Sequence, residues 1–100
     1  MKWTASKIIH MFKNLQQGQG LLIKHDKIGT TNEISFPKAE NIELSIEATL
    51  PNHGRNSREF LVIENTKYKE RFVIPIGIIN KVKIIDDYEN YVETWINSRG

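Results

Sequence analysis

The residues best suited to chemistry in this chain are cations, and they lie in two neighbouring polar stretches. The segment 51–58 is the longest polar stretch, and a predicted hairpin turn covers residues 65–70. The candidate partner-binding residues are His53, Arg55, Arg58, Lys67, Tyr68, Lys69 and Arg71, and we call this set the basic rim. If the two stretches fold side by side, cationic groups share one surface with an aromatic ring. Such a surface suits nucleic-acid phosphates or the carboxylates of an acidic protein.

Catalytic groups at working distance are not indicated by the sequence. Ser57 and His53 share the polar segment, but nothing in the spacing brings Asp26 to orient the histidine. Glu43 and Glu47 lie on one face of a predicted strand, about 13 Å apart by strand rise, which is too far for general acid–base work. We therefore expect that the protein is not an enzyme.

Metal and cofactor sites are not indicated either. The chain has no cysteine, and its three histidines, at positions 10, 25 and 53, are scattered along the sequence. The glycines at positions 18 and 20 precede a predicted strand rather than a helix, so they do not form a phosphate-binding loop. The sequence therefore predicts no metal and no cofactor.

The length, composition and net charge of the chain are those of an ordinary small domain. The chain has 100 residues, 39% of them hydrophobic, and a formal net charge of +2, too small to name nucleic acid as the partner. This length predicts a single domain over residues 1–100. The longest apolar runs cover a few residues, whereas a membrane-spanning helix needs about 20, so no membrane partner is expected. The absence of cysteine suits a reducing cytoplasm, and frequent Ile, Lys and Asn, with A/T-rich codons, favour a bacterial or phage source.

Apolar spacing predicts an amphipathic helix at each end of the chain. Four apolar residues from Ile8 to Leu15 repeat at helical intervals and follow Thr4, a suitable N-cap, so a helix is expected over about 5–17. The same spacing over about 88–97 predicts a second helix, with Asp86 in the capping role. Aromatic residues on these stripes and on the strands are expected in the core: Phe12, Phe60, Phe72, Tyr91 and Trp95.

Six strands are predicted between the helices. Residues 41–50 alternate between apolar and polar types, which is typical of a half-buried strand. Residues 59–64 are apolar on both faces, which is typical of a strand covered on both sides, and we expect a helix as the second cover. Pro75 and Gly77 predict a tight turn before the last strand. The predicted strand bounds are about 21–25, 33–36, 41–50, 59–64, 71–76 and 79–85.

These elements predict an α+β fold that is mainly β. We expect a small, bent antiparallel sheet or barrel of five or six strands, flanked by the two amphipathic helices. The order of helix, meander, tight turn and last strand resembles the SH3-like and Sm-like small barrels, in which a single helical turn also precedes the last strand. The alternative is a resemblance to pleckstrin-homology-type domains, whose C-terminal helix plugs the barrel. Both resemblances rest on residues 58–97 and imply an architecture, not a function.

For function, the sequence predicts a small non-enzymatic interaction or regulatory module of an accessory bacterial or phage type. It would bind another protein through the segment 51–58 or through an exposed strand edge. The alternative is a nucleic-acid-binding small barrel that uses the basic rim. An open sheet also leaves edge strands, so a homodimer formed by pairing such edges is a further expectation.

Overall fold

The computed structural model describes residues 3–27, 30–48 and 59–99. Along this part of the chain the elements are α1 (Ala5–Lys13), β1 (Gly20–Lys27), β2 (Thr30–Pro37), β3 (Ile42–Ala48), β4 (Glu59–Asn65), β5 (Glu70–Pro75), a 3-10 helical turn (Ile76–Ile78), β6 (Ile79–Ile85) and α2 (Tyr88–Arg99). The segment 51–58 lies outside the described residues, so the expectations for His53, Arg55 and Arg58 stay predictions.

The strands form two antiparallel sheets of three strands each, in the orders β2-β1-β6 and β3-β4-β5. The α+β class with mainly β structure is therefore confirmed. Among the described strands no ladder joins the two sheets, and a closed barrel is not detected. β2 and β3 follow each other in the chain but belong to different sheets, so the chain changes sheets within residues 38–41.

The core lies between the two sheets and α1. Ala5 and Ile8 of α1, Leu21 and Ile23 of β1, and Leu61 of β4 are completely buried in one hydrophobic cluster. Burying an aliphatic side chain of this size contributes about 1.5–3 kcal/mol relative to leaving it exposed. The cluster therefore fixes how the helix and the two sheets pack together.

The first helix starts where its capping residue predicts and ends earlier than its periodicity predicts. Thr4 is the N-cap, and its hydroxyl accepts a hydrogen bond from the Lys7 backbone N–H at 3.1 Å, which confirms that prediction. The predicted end near residue 17 is wrong, because α1 ends at Lys13. The Asn14 side-chain amide donates to the His10 carbonyl at 3.0 Å and satisfies one of the last carbonyls of the helix.

A side chain from the loop between β2 and β3 also caps the C-terminal end of α1. The Lys38 ammonium donates to the Phe12 carbonyl at 3.0 Å and to the Lys13 carbonyl at 3.4 Å. The same ammonium lies 4.7 Å from the centre of the Phe12 ring. A cation is favoured at a helix C-terminus and over an aromatic face, so Lys38 ties α1 to the loop.

The second helix is capped one residue later than the spacing suggests. Asp87, not Asp86, takes the capping position, since its carboxylate accepts a backbone N–H of the first turn at 3.1 Å. The Asp86 carboxylate accepts from the Gln19 amide at 3.4 Å. These contacts connect the start of α2 to the loop before β1. Within the described residues, no helix is long and apolar enough to span a bilayer.

The outer face of β4 is covered by an ion pair, not by the helix that we expected. Leu61 and Ile63 face the core, whereas Val62 faces away from it yet is only 1% exposed. Arg71 of β5 reaches Glu47 of β3 at 2.8 Å, and the ladder register places Val62 between them. The ion pair therefore crosses the outer face of β4 at the level of Val62, where the aliphatic stem of the arginine is suited to shield apolar surface.

Candidate functional site

A groove separates α2 from the sheet β2-β1-β6. Leu22 and Ser35 are opposite each other on the face of the sheet that points away from the core. Tyr91, Val92 and Trp95 of α2 stand over this face and leave a cavity of about 490 Å³. Such a volume lies within the range of ligand-binding clefts.

Our expectation that Trp95 lies in the core is wrong, because this part of α2 is exposed. Trp95 is 47% exposed, whereas Tyr91 is half-buried. The outer face of the sheet explains the difference. Leu22 offers an apolar contact under the start of the helix, but the next outward residue of β1 is Lys24, in a salt bridge with Glu33 at 3.3 Å. Beyond Leu22, the sheet residues that line the cavity together with Trp95 are all polar: Asn32, Glu33 and Ser35.

A second cavity, of about 280 Å³, lies on the other side of β2. Ile34 and Phe36 line it from β2, and Ile63 and Phe72 line it from the opposite sheet. Phe72 was expected in the core, but it is 46% exposed, because it is on the edge strand β5 and faces this cavity. Trp95 and Phe72, which were both wrongly predicted to lie in the core, therefore both line cavities beside β2.

Tyr88 lies between the two cavities and packs directly on the sheet. It lines both cavities together with Ser35, and its hydroxyl lies 3.4 Å from the Ser35 hydroxyl. Its ring rests on Gly20, where a β-carbon would lie 2.5 Å from Tyr88 Cδ2 and 2.6 Å from the Phe36 carbonyl oxygen. Glycine is required at position 20 because the tyrosine ring and the β2 backbone both approach so closely.

We call these two adjacent cavities, which share Ser35 and Tyr88 in their linings, the Tyr88 channel. The residues that define it are Leu22, Ser35, Phe72, Tyr88, Tyr91 and Trp95. A third cavity, of about 460 Å³, adjoins it at Tyr88, and its charged lining residues are Lys38, Asp87, Glu89 and Glu93. Glu70 lines the second cavity. In the described part of the chain no ion pair engages Glu70, Glu89 or Glu93, so the surroundings of the channel are acidic.

The basic rim is only partly placed by the structure, and its described members are not all available as cations. Arg71 bonds Glu47 at 2.8 Å and lies 3.6 Å from a Glu64 oxygen, so two carboxylates balance its charge. Tyr68 is 64% exposed in the turn, with the Lys67 ammonium 5.4 Å from its ring centre.

The same turn contains a residue with an unusual backbone conformation. Lys69 has a positive φ of 55°. Whether the turn meets the segment 51–58 lies outside the described residues. Among the described residues no group of three or more potential metal ligands is found.

Sequence reasoning did not find the Tyr88 channel. Helical spacing predicts Tyr91 and Trp95 in the core, and a strand position predicts Phe72 there, but spacing does not show what covers a helix or a strand. A usable signal was the charged pair Lys24 and Glu33, which follows Leu22 on the outward positions of the first sheet. A charged outer face cannot bury a long apolar stripe.

Comparisons of the chain with protein-family models, with curated proteins and with solved structures found no match. The function is therefore inferred from the channel and its chemistry.

Proposed function

We propose that this protein is a small, non-enzymatic interaction module that binds another protein at the Tyr88 channel. The observation that carries the proposal is the aromatic wall formed by Tyr88, Tyr91 and Trp95 beside an open cavity. Tyr and Trp supply much of the binding energy at protein interfaces, because they combine large apolar area with a polar group.

The polar groups of the channel support binding rather than catalysis. Glu33 is held by Lys24 at 3.3 Å, and the Ser35 hydroxyl lies beside the Tyr88 hydroxyl. A nucleophile needs a neighbouring base that is itself oriented, and neither pair supplies that arrangement. These side chains are better suited to orienting a bound chain than to chemical reaction.

We also propose that the two sheets are the halves of an open small barrel of the SH3-like or Sm-like kind, with the pleckstrin-homology-like barrel as the alternative. Two features support this: the helical turn Ile76–Ile78 before β6, and the change of sheet between β2 and β3. A cytoplasmic location, based on the absence of cysteine, stays part of the proposal.

Nucleic-acid binding through the basic rim is the second candidate. It is supported by the exposed Tyr68 ring with Lys67 beside it, which could stack on a base. Because Arg71 already forms ion pairs with two glutamates, the loss of Lys67 and Lys69 together should abolish any binding of short oligonucleotides at low salt. Unchanged binding, or no binding by the wild type, would remove this candidate.

Photo-crosslinking from the channel tests the leading proposal. Benzoylphenylalanine is placed at Trp95 and, as a control, at the exposed Lys7 on α1, in cells that produce the protein. We expect one protein to be crosslinked from position 95, not from position 7, and to be lost when Tyr91→Ala is added. The captured protein is identified and its binding is repeated with both purified proteins. Identical products from the two positions would refute docking at the channel.

A further inference from the structure

We infer that the partner binds as an extended segment that pairs with the edge of β2 to which no described strand is bonded, and adds a fourth strand to the sheet β2-β1-β6. This inference rests on the proposed function and specifies how the partner is recognised. The segment carries apolar side chains at alternate positions and a basic residue at the end that lies beside Pro37.

The residues of β2 that line the two cavities show where the cavities lie relative to the strand. Side chains along a strand alternate between the two faces, so a cavity on one face touches every second residue. The second cavity, however, is lined by the four consecutive residues 34–37, and the first by residues 32, 33 and 35. Both cavities therefore lie against the edge of β2. The sheet order places that edge at the end of the sheet.

The two cavities have the arrangement that strand addition requires. The first lies between the sheet and α2, and the second lies on the core side of β2, against Phe72. An added strand sends successive side chains alternately to these two sides. The lining residues 32–37 span about 20 Å at roughly 3.3 Å per residue, so the channel accepts about six residues of the partner.

The charges around the channel identify the chemistry of the segment. Glu70 lines the second cavity, and Glu89 and Glu93 line the adjoining third one. These carboxylates lie beside residues 34–37 of β2, so they attract a Lys or Arg at one end of a bound segment. They also argue against a second copy of this chain as the occupant, since its β2 strand carries Glu33 and no Lys or Arg.

The test uses a phage-displayed library of random nine-residue peptides without cysteine. The library is selected on the wild-type protein and counter-selected on the Trp95→Ala variant. We expect enriched peptides with apolar residues at alternate positions and a basic residue near one end. Phe72→Ala should weaken their binding about tenfold, whereas Val73→Ala should change it less than about threefold, because Val73 is equally exposed on β5 but lies outside the channel.

Methylation of single backbone amides in the best peptide then tests the strand geometry. If the peptide pairs with β2, every second N-methylation removes a backbone hydrogen bond and weakens binding about tenfold or more, while the intervening ones have little effect. Equal effects at all positions, or a helical period, would overturn the inference. Failure to enrich any peptide that depends on Phe72 and Trp95 would overturn it as well.

These failures are distinguishable from failure of the proposed function. A partner protein crosslinked from position 95 would still support docking at the channel if it did not present an extended segment. Light scattering at two concentrations tests whether a second copy of this chain occupies the channel instead. A dimer that Phe72→Ala dissociates would place a second copy in the channel and would overturn the inference.

Discussion

Replacing Gly20 with alanine tests the packing beneath the channel. The added methyl group would lie 2.5 Å from Tyr88 Cδ2 and 2.6 Å from the Phe36 carbonyl oxygen. Favourable contacts between heavy atoms lie at about 3.5–4.0 Å. The tyrosine ring can rotate away, but the carbonyl belongs to the backbone of β2, so the two strands must also shift.

The expected cost follows from two opposing effects. Overpacking of this kind costs about 1–3 kcal/mol. Alanine recovers roughly 0.5–1 kcal/mol of it, because glycine loses more backbone entropy on folding. The net expectation is a loss of about 1–2 kcal/mol of unfolding free energy. For a domain of this size, each kcal/mol lowers Tm by about 4–8 °C.

The assay is urea unfolding of wild type, Gly20→Ala and the control Gly77→Ala. No atom lies within 4 Å of a β-carbon at position 77, so that variant should be as stable as wild type or slightly more stable. The double variant Gly20→Ala, Tyr88→Ala should show coupling, since one of the two clashes is removed. If Gly20→Ala matches Gly77→Ala in stability, Tyr88 does not pack on β1 and the channel is described wrongly.

Four further alanine substitutions test the core, the exposed end of α2, the ion pair over β4 and the helix cap, and all are measured by urea unfolding. Ile8→Ala should cost about 2–5 kcal/mol, because Ile8 is fully buried. Trp95→Ala should cost less than about 1 kcal/mol, and a cost as large as that of Ile8→Ala would show that α2 is packed. Arg71→Ala should cost about 0.5–1 kcal/mol by exposing Val62 and breaking a surface pair, and no cost would contradict this cover. Thr4→Ala should cost about 1 kcal/mol while Thr4→Ser should not, and equal effects would contradict the N-cap.

Local features of this fold could be predicted from the sequence. Thr4 before an amphipathic stretch predicted the start of α1, and Pro75 with Gly77 predicted the turn before β6. The mainly β class followed from alternation and short connections. Each of these features depends on residues that are close together in the chain.

Features that depend on distant residues could not be predicted. α1 ends at Lys13 partly because Lys38, from a loop beyond two strands, satisfies its last carbonyls. Arg71 looked like a free cation, yet the register of three strands places it on Glu47. Trp95 looked like a core residue, yet the sheet beneath α2 becomes charged. In each case the missing information was the tertiary partner, which spacing alone does not contain.

The most direct test of docking at the Tyr88 channel is an amide nitrogen–proton NMR titration of the full chain with the captured partner or the best selected peptide. Docking at the channel predicts that chemical-shift changes concentrate on residues 32–37 of β2 and 88–96 of α2. Changes centred on the turn 66–69 or on the segment 51–58 would contradict it and would favour the basic rim instead.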